Sequence, residues 1–123
     1  MEKKKSVIIV VDDDQAVRDA LKFSLTLDGM DVHVCENAAS LLEYPGLNNA
    51  ACLVMDYRMP EADGFELSER LMIRGIDVPR ILITSPVDKA LVRRARDAGF
   101  FAVLEKPLLE NVLQSHVQAA IGG

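Results

Sequence analysis

The sequence predicts an α/β sandwich, a parallel five-stranded sheet covered on both faces by helices. Three observations predict it. Short continuous apolar runs, rich in β-branched residues, recur along the chain and mark strands buried on both faces. Between them lie stretches whose apolar residues repeat at helical spacing. The two kinds of segment alternate from end to end, so each crossover joins parallel strands and is right-handed.

Val7-Ile8-Ile9-Val10-Val11 is the first strand. From Asp14 to Asp28, Val17, Leu21 and Leu25 recur at i+4 spacing with Ala20 alongside, which predicts an amphipathic helix stopped by Gly29. Asp31 to Cys35 is a short strand, and Asn37 caps a short helix ended by Pro45 and Gly46. Cys52-Leu53-Val54-Met55 is the third strand. Asp63-Gly64-Phe65-Glu66 has the form of a capping box and opens a helix through Met72. Ile81-Leu82-Ile83 is the fourth strand, Asp88 to Ala98 the fourth helix closed by Gly99, and Phe101 to Leu104 the fifth strand. Leu108 to Ile121 completes the count, with Leu109, Val112, Leu113, Val117 and Ala120 on one stripe. Five such units in 123 residues make the flavodoxin-like (βα)5 three-layer order 2-1-3-4-5 the natural choice. No repeat, low-complexity stretch or linker interrupts them, so residues 1–123 are expected to form a single domain.

Composition narrows the function. Half the residues are hydrophobic and 27% are charged, a globular mix. No apolar run approaches the roughly 20 residues of a membrane span, and the apolar run after Lys3-Lys4-Lys5 is too short for a signal-peptide core, which points to a cytoplasmic protein. The formal charge is -5, and Lys3 to Lys5 is taken as the only basic run, a solvated leader rather than a docking site. Direct nucleic-acid binding, which wants a basic face, is therefore not expected. Cys35 and Cys52 fall on strands two and three, with strand one between them. Two inter-strand steps of about 4.8 Å exceed what a disulfide spans, so both are expected to be free, buried thiols in a reducing compartment.

In such a sheet, ligands bind beyond the carboxyl ends of the strands, beside the switch in strand order. Asp12, Asp13 and Asp14 follow the first strand, Asp56 the third, Thr84 the fourth, and Lys106 and Pro107 the fifth. Carboxylates gathered at one mouth repel, and a hard divalent cation relieves that repulsion. Mg²⁺ suits it, taking one or two carboxylates, several waters and phosphate oxygens. A lysine adds a point charge for a phosphoryl oxygen and a threonine a hydroxyl donor. Carboxylate nucleophile, metal, lysine and hydroxyl together make a phosphoryl-transfer site. Asp14 is assigned as the N-cap of the first helix, and the isolated His33 and His116 as structural or surface residues.

Asp12-Asp13, Met55-Asp56-Tyr57-Arg58-Met59-Pro60, Asp63-Gly64, Thr84 and Glu105-Lys106-Pro107 together resemble the signature set of CheY-like response-regulator receivers of two-component systems, over essentially the whole chain and in the family's order. The resemblance implies that Asp56 accepts a phosphoryl group from a phosphohistidine of a sensor histidine kinase or phosphotransfer protein. It implies Mg²⁺ held directly by Asp13 and Asp56, by Asp12 largely through water, and by the backbone carbonyl of Arg58. It implies Thr84 and Lys106 on the phosphoryl oxygens, a cis Lys106-Pro107 bond, and self-phosphorylation and self-dephosphorylation rather than enzyme turnover. The fourth helix, fifth strand and fifth helix would form the face for a homodimer or an output domain, with Leu91, Val92, Phe101 and Val103 exposed on it.

Two positions depart from the family. Val103 stands where many receivers carry an inward-swinging Tyr or Phe, three residues before the lysine. Ser85-Pro86 follows Thr84, and Ser85 to Asp88 has the form of a capping box with Pro86 at the first helical position, predicting an early start for helix four and a stiff loop before it. Two alternatives remain. Asp12-x-Asp14 has the D-x-D form of haloacid-dehalogenase-like phosphatases, with Asp12 as nucleophile, but that leaves Asp56 and its followers unexplained. A receiver fold that signals by protein contacts without phosphorylation is the other.

Overall fold

The computed structural model describes residues 5–108 and 111–122. Strands β1 (Val7–Val11), β2 (Asp31–Cys35), β3 (Cys52–Asp56), β4 (Arg80–Thr84) and β5 (Ala102–Glu105) form one parallel sheet in the order β2-β1-β3-β4-β5. Helices α1 (Gln15–Leu27), α2 (Ala38–Leu42), α3 (Gly64–Ile73), α4 (Lys89–Asp97) and α5 (Val112–Gly122) cover it. Strand alternation divides the core into two layers. Ile8, Val10, Val54, Ile81 and Ile83 pack against Leu21 and Leu25 of α1 and Leu113 and Val117 of α5. Ile9, Val11, Leu53, Met55 and Leu82 pack against α2, α3 and α4 through Leu41, Leu67, Leu71 and Ala95. β3 and β4 are buried along their whole length, their central apolar runs as expected and their polar ends Asp56, Arg80 and Thr84 with them.

Side-chain caps set where the helices begin. Asp14 accepts from the Ala16 and Val17 amides, and Asn37 accepts from the Ser40 amide. Asp63 and Glu66 form the full capping box. Each satisfies amides that the first helical turn leaves without partners.

The ends of several elements differ from expectation. The second helix stops at Leu42, and a 3-10 turn, Leu47–Asn49, fills the gap before β3. Helix four does not start at Ser85. Asp88 takes the cap position, its carboxylate accepting from the Leu91 amide at 2.8 Å, and Ser85-Pro86 is a bend with a cis peptide bond. A capping carboxylate three residues later competes for the role assigned to Ser85 and wins it. β5 runs one residue later than predicted. Helix α5 begins at Val112 rather than Leu108, because Asn111 holds a left-handed φ of 70° that no helical residue adopts. Leu109 lies outside the described residues, as do Lys3 and Lys4.

Of the four residues expected on an exposed partner face, Val92 (36%) and Phe101 (48%) are exposed. Leu91 and Val103 are partly buried, packed against the α3/α4 layer of the core. Lys3 to Lys5 is not the only basic cluster either: α4 carries Lys89, Arg93, Arg94 and Arg96 within nine residues. Cys35 and Cys52 are free and buried, with β1 between their strands. Burial pushes the Cys35 thiol up to about 11 and the Cys52 thiol to about 12, which leaves both unreactive. Among the described residues no helix is long and apolar enough to cross a membrane.

Candidate functional site

The parallel register carries the ends of β1, β3, β4 and β5 to one mouth of the sheet. Asp12, directly after β1, is fully buried, and Asp56, the last residue of β3, is 5% exposed. Asp13 lies beside them on the exposed side, and carboxylate oxygens of Asp12, Asp13 and Asp56 lie within 4.8 Å of one another. Lys106, just past β5, bridges the two buried acids, its Nζ donating to Asp12 Oδ2 at 2.9 Å and to Asp56 Oδ1 at 3.3 Å. Thr84 ends β4 and is 2% exposed. Its carbonyl accepts from the Lys106 amide at 2.8 Å, so threonine and lysine share one rim of the mouth.

Both oxygens of Asp12 are engaged, Oδ2 by Lys106 and Oδ1 by the Asp14 amide at 2.9 Å. Asp14 is the α1 cap. Neither residue is therefore placed as the nucleophile or acid of a D-x-D phosphatase. Arg58 is exposed, and its backbone amide, two residues past Asp56, helps hold the Asp56 carboxyl down. The Lys106-Pro107 bond is cis. His33 pairs with Asp31 at 3.2 Å and packs beside Tyr44, and His116 Nδ1 lies 2.7 Å from the Val112 carbonyl. Neither belongs to the site.

The charges are unequal, with three carboxylates facing one ammonium. Burial, and then the neighbouring charge of Asp12, push the Asp56 carboxyl up to about 6; the Lys106 charge, its hydrogen bond and the Arg58 amide oppose this. Burial alone would lower the Lys106 pKa. Its bonds and charge interactions with Asp12 and Asp56 outweigh that and raise it, so the lysine stays protonated at neutral pH. The shortfall of positive charge, the hard oxygen donors and their close spacing fit a divalent cation that takes carboxylate ligands.

Two contributors escaped the sequence reading. Arg18 donates from Nη1 to the Asp12 carbonyl at 2.7 Å and fixes the turn that presents the acids. Its signal was a cation one helical turn beyond the Asp14 cap. Gly64 opens α3 against the site floor: a Cβ there would stand 2.7 Å from Leu82 Cδ1 and 3.1 Å from the Asp56 carbonyl oxygen. Its signal is present in Asp63-Gly64, which the sequence marks as a cap and a family motif without showing that the glycine is needed for close packing.

The response regulator receiver domain model matches residues 8–118. The chain belongs to that family. As a receiver domain of two-component response regulators it is a signalling module rather than an enzyme in the ordinary sense, and receivers generally bind Mg²⁺ at an acidic pocket of this kind. The receiver is 36% identical over 118 residues to the transcriptional regulatory protein FixJ of Bradyrhizobium diazoefficiens, covering 95% of this chain and 57% of that protein. It is 32% identical over 121 residues to the response regulator protein TmoT of Ectopseudomonas mendocina, covering 98% and 55%. The crystal structure of FixJ-N superposes with a TM-score of 0.86 at 32% identity, covering 98% of this chain and 96% of that one. The receiver thus spans about half the length of the curated relatives it matches.

Proposed function

We propose that this receiver is a phosphoacceptor switch that takes a phosphoryl group on Asp56 from the phosphohistidine of a sensor histidine kinase or phosphotransfer protein. The observation that carries it is the cluster of Asp12, Asp13 and Asp56 oxygens with Lys106 bridging the two buried acids. Asp13 and Asp56 would hold Mg²⁺ directly, with the Arg58 carbonyl, while Asp12, both of whose oxygens already accept hydrogen bonds, acts through water. When bound, the ion neutralises carboxylate and phosphoryl oxygens together.

An Asp56 oxygen attacks phosphorus, the P–N bond to the imidazole breaks as the P–O bond forms, and the imidazole leaves with a proton. Lys106 is set to pair with one phosphoryl oxygen, and the Thr84 hydroxyl to donate to another. Reversal by water at the same carboxyl would return the free acid. Residues 1–123 act as a single receiver domain in the cytoplasm, in keeping with the free thiols. The state is passed on through α4, β5 and α5, where Val92 and Phe101 lie open to a second copy or an output domain. No direct contact with nucleic acid or membrane is assigned to this chain.

Intact mass and peptide mapping after acetyl phosphate and Mg²⁺ test this. One phosphate adduct is expected, on Asp56, and it disappears in Asp56→Asn. No adduct despite measurable Mg²⁺ binding would favour a receiver fold that signals by contact alone.

A further inference from the structure

Tyr57, the residue after Asp56, is gripped through its backbone on two sides. Its N–H donates to the Ile83 carbonyl at 2.9 Å, and its carbonyl accepts from the Gly64 amide at 2.9 Å. The start of α3 is packed so close that a Cβ on Gly64 would lie 3.3 Å from Tyr57 Cα. A strand end held this way has little slack, because packed interiors transmit displacement rather than absorb it. A change at the Asp56 carboxylate therefore reaches the peptide that carries the Tyr57 ring.

That ring is half-buried and leads to α4. It meets Phe65 edge to face, with centroids 5.2 Å apart at 84°, and Phe65 meets Phe100 at 5.6 Å and 77°. Arg94, in the second turn of α4, lies over the Phe65 ring at 4.0 Å from its centroid and points Nη1 at the Tyr57 hydroxyl, 3.4 Å away. Among the described residues Arg94 makes no ion pair, so the aromatic pair holds its guanidinium. The stack is close, while the hydroxyl contact is long for a hydrogen bond and easily exchanged. Val103, partly buried under α4, has no large side chain to swing there.

We propose that Tyr57 couples the state of Asp56 to α4 by holding or releasing Arg94, an inference that rests on Asp56 being the phosphoacceptor. With Asp56 free, Arg94 is folded back on Phe65 and Tyr57. With Asp56 occupied, the Lys106 bond to its carboxylate rearranges, the peptide at Tyr57 re-seats, and the hydroxyl leaves Arg94. The guanidinium is then free on the surface of α4, where its planar fork suits a partner carboxylate.

The chain has two tyrosines and no tryptophan, so in a Tyr44→Phe background Tyr57 is the sole fluorescent tyrosine. Beryllofluoride with Mg²⁺, a non-covalent phosphoryl mimic, is added while Tyr57 emission and amide exchange across α4 are followed. Both are expected to change. Tyr57→Phe, which removes only the hydroxyl, and Arg94→Lys, which keeps the charge but loses the planar stack, should each lose more than half of the α4 response. Acetyl phosphate should still label Asp56 to the unmodified extent in both variants. Full labelling with an undiminished α4 response would overturn the coupling alone. Failure of the unmodified chain to label at Asp56 would remove the phosphoacceptor assignment and the coupling with it.

Discussion

At the amino end of β4, Arg80 is only 3% exposed, yet its charge is closed off from any ligand. Its Nη1 donates to the Val78 carbonyl at 3.3 Å and its Nη2 to the Ala98 carbonyl at 3.2 Å, and its guanidinium lies 5.6 Å from the centre of the Phe100 ring. At the carboxyl end of the sheet, Asp12 and Asp56 are as deeply buried, but with one lysine between them and a third carboxylate alongside. The first arrangement ties the last turn of α4 to β4, as a cation at a helix C-terminus should. The second leaves charge unanswered. A lone buried cation held by backbone carbonyls at a helix end maintains structure even with its Nε left without a partner, whereas buried like charges crowded around one counter-charge mark a site.

Breaking the closed end should have the largest effect on stability. Arg80→Ala strands the Val78 and Ala98 carbonyls and opens a cavity, and should cost about 3 kcal/mol in urea unfolding. The open end should respond with the opposite sign. The folded-state pKa of Asp56 is raised from 3.8 to about 6, so the folded chain binds a proton more readily than the unfolded one, and stability falls as pH rises through that interval. Asp56→Asn removes the penalty. It should raise stability by about 2 kcal/mol at pH 7 and change little below pH 4, as unfolding curves at the two pH values would show.

Mg²⁺ should stabilise the unmodified receiver by about 1.4 kcal/mol at ten times its Kd. That gain should shrink at pH 5, where Asp56 is largely protonated, and shrink again in Asp56→Asn; thermal melts with and without the ion would check both. The smallest effect concerns where α4 begins. Asp88→Ala should cost about 1 kcal/mol by removing the cap, whereas Ser85→Ala should be nearly silent in the same unfolding assay. Equal costs would return the cap to Ser85.

The open end was far more legible in the sequence than the closed one. Asp12, Asp56 and Thr84 each directly follow an apolar run and Lys106 follows one after a single residue, and once the strand order is fixed their convergence is fixed with it. Local chemistry also announced the caps at Asp14, Asn37 and Asp63. Arg80 gave no such sign, because only the fold brings the end of α4 over the start of β4. The same holds for Tyr57 and Arg94, 37 residues apart and joined only by helix packing. At Ser85 two capping patterns overlapped, and the backbone chose the later one. At α5 the pattern named the right face but not the start, which the left-handed Asn111 sets.

The complete burial of β3 and β4 has a further consequence for how such a module can diversify. Neighbouring strands sit about 4.8 Å apart whatever their loops do. Asp56, Thr84 and Lys106 therefore inherit their spacing from the backbone lattice itself. Arg58 and Ser85 on the rim are exposed and under no such constraint. An engineer retargeting this receiver would randomise those rim positions first, since the lattice beneath them keeps the chemistry in register.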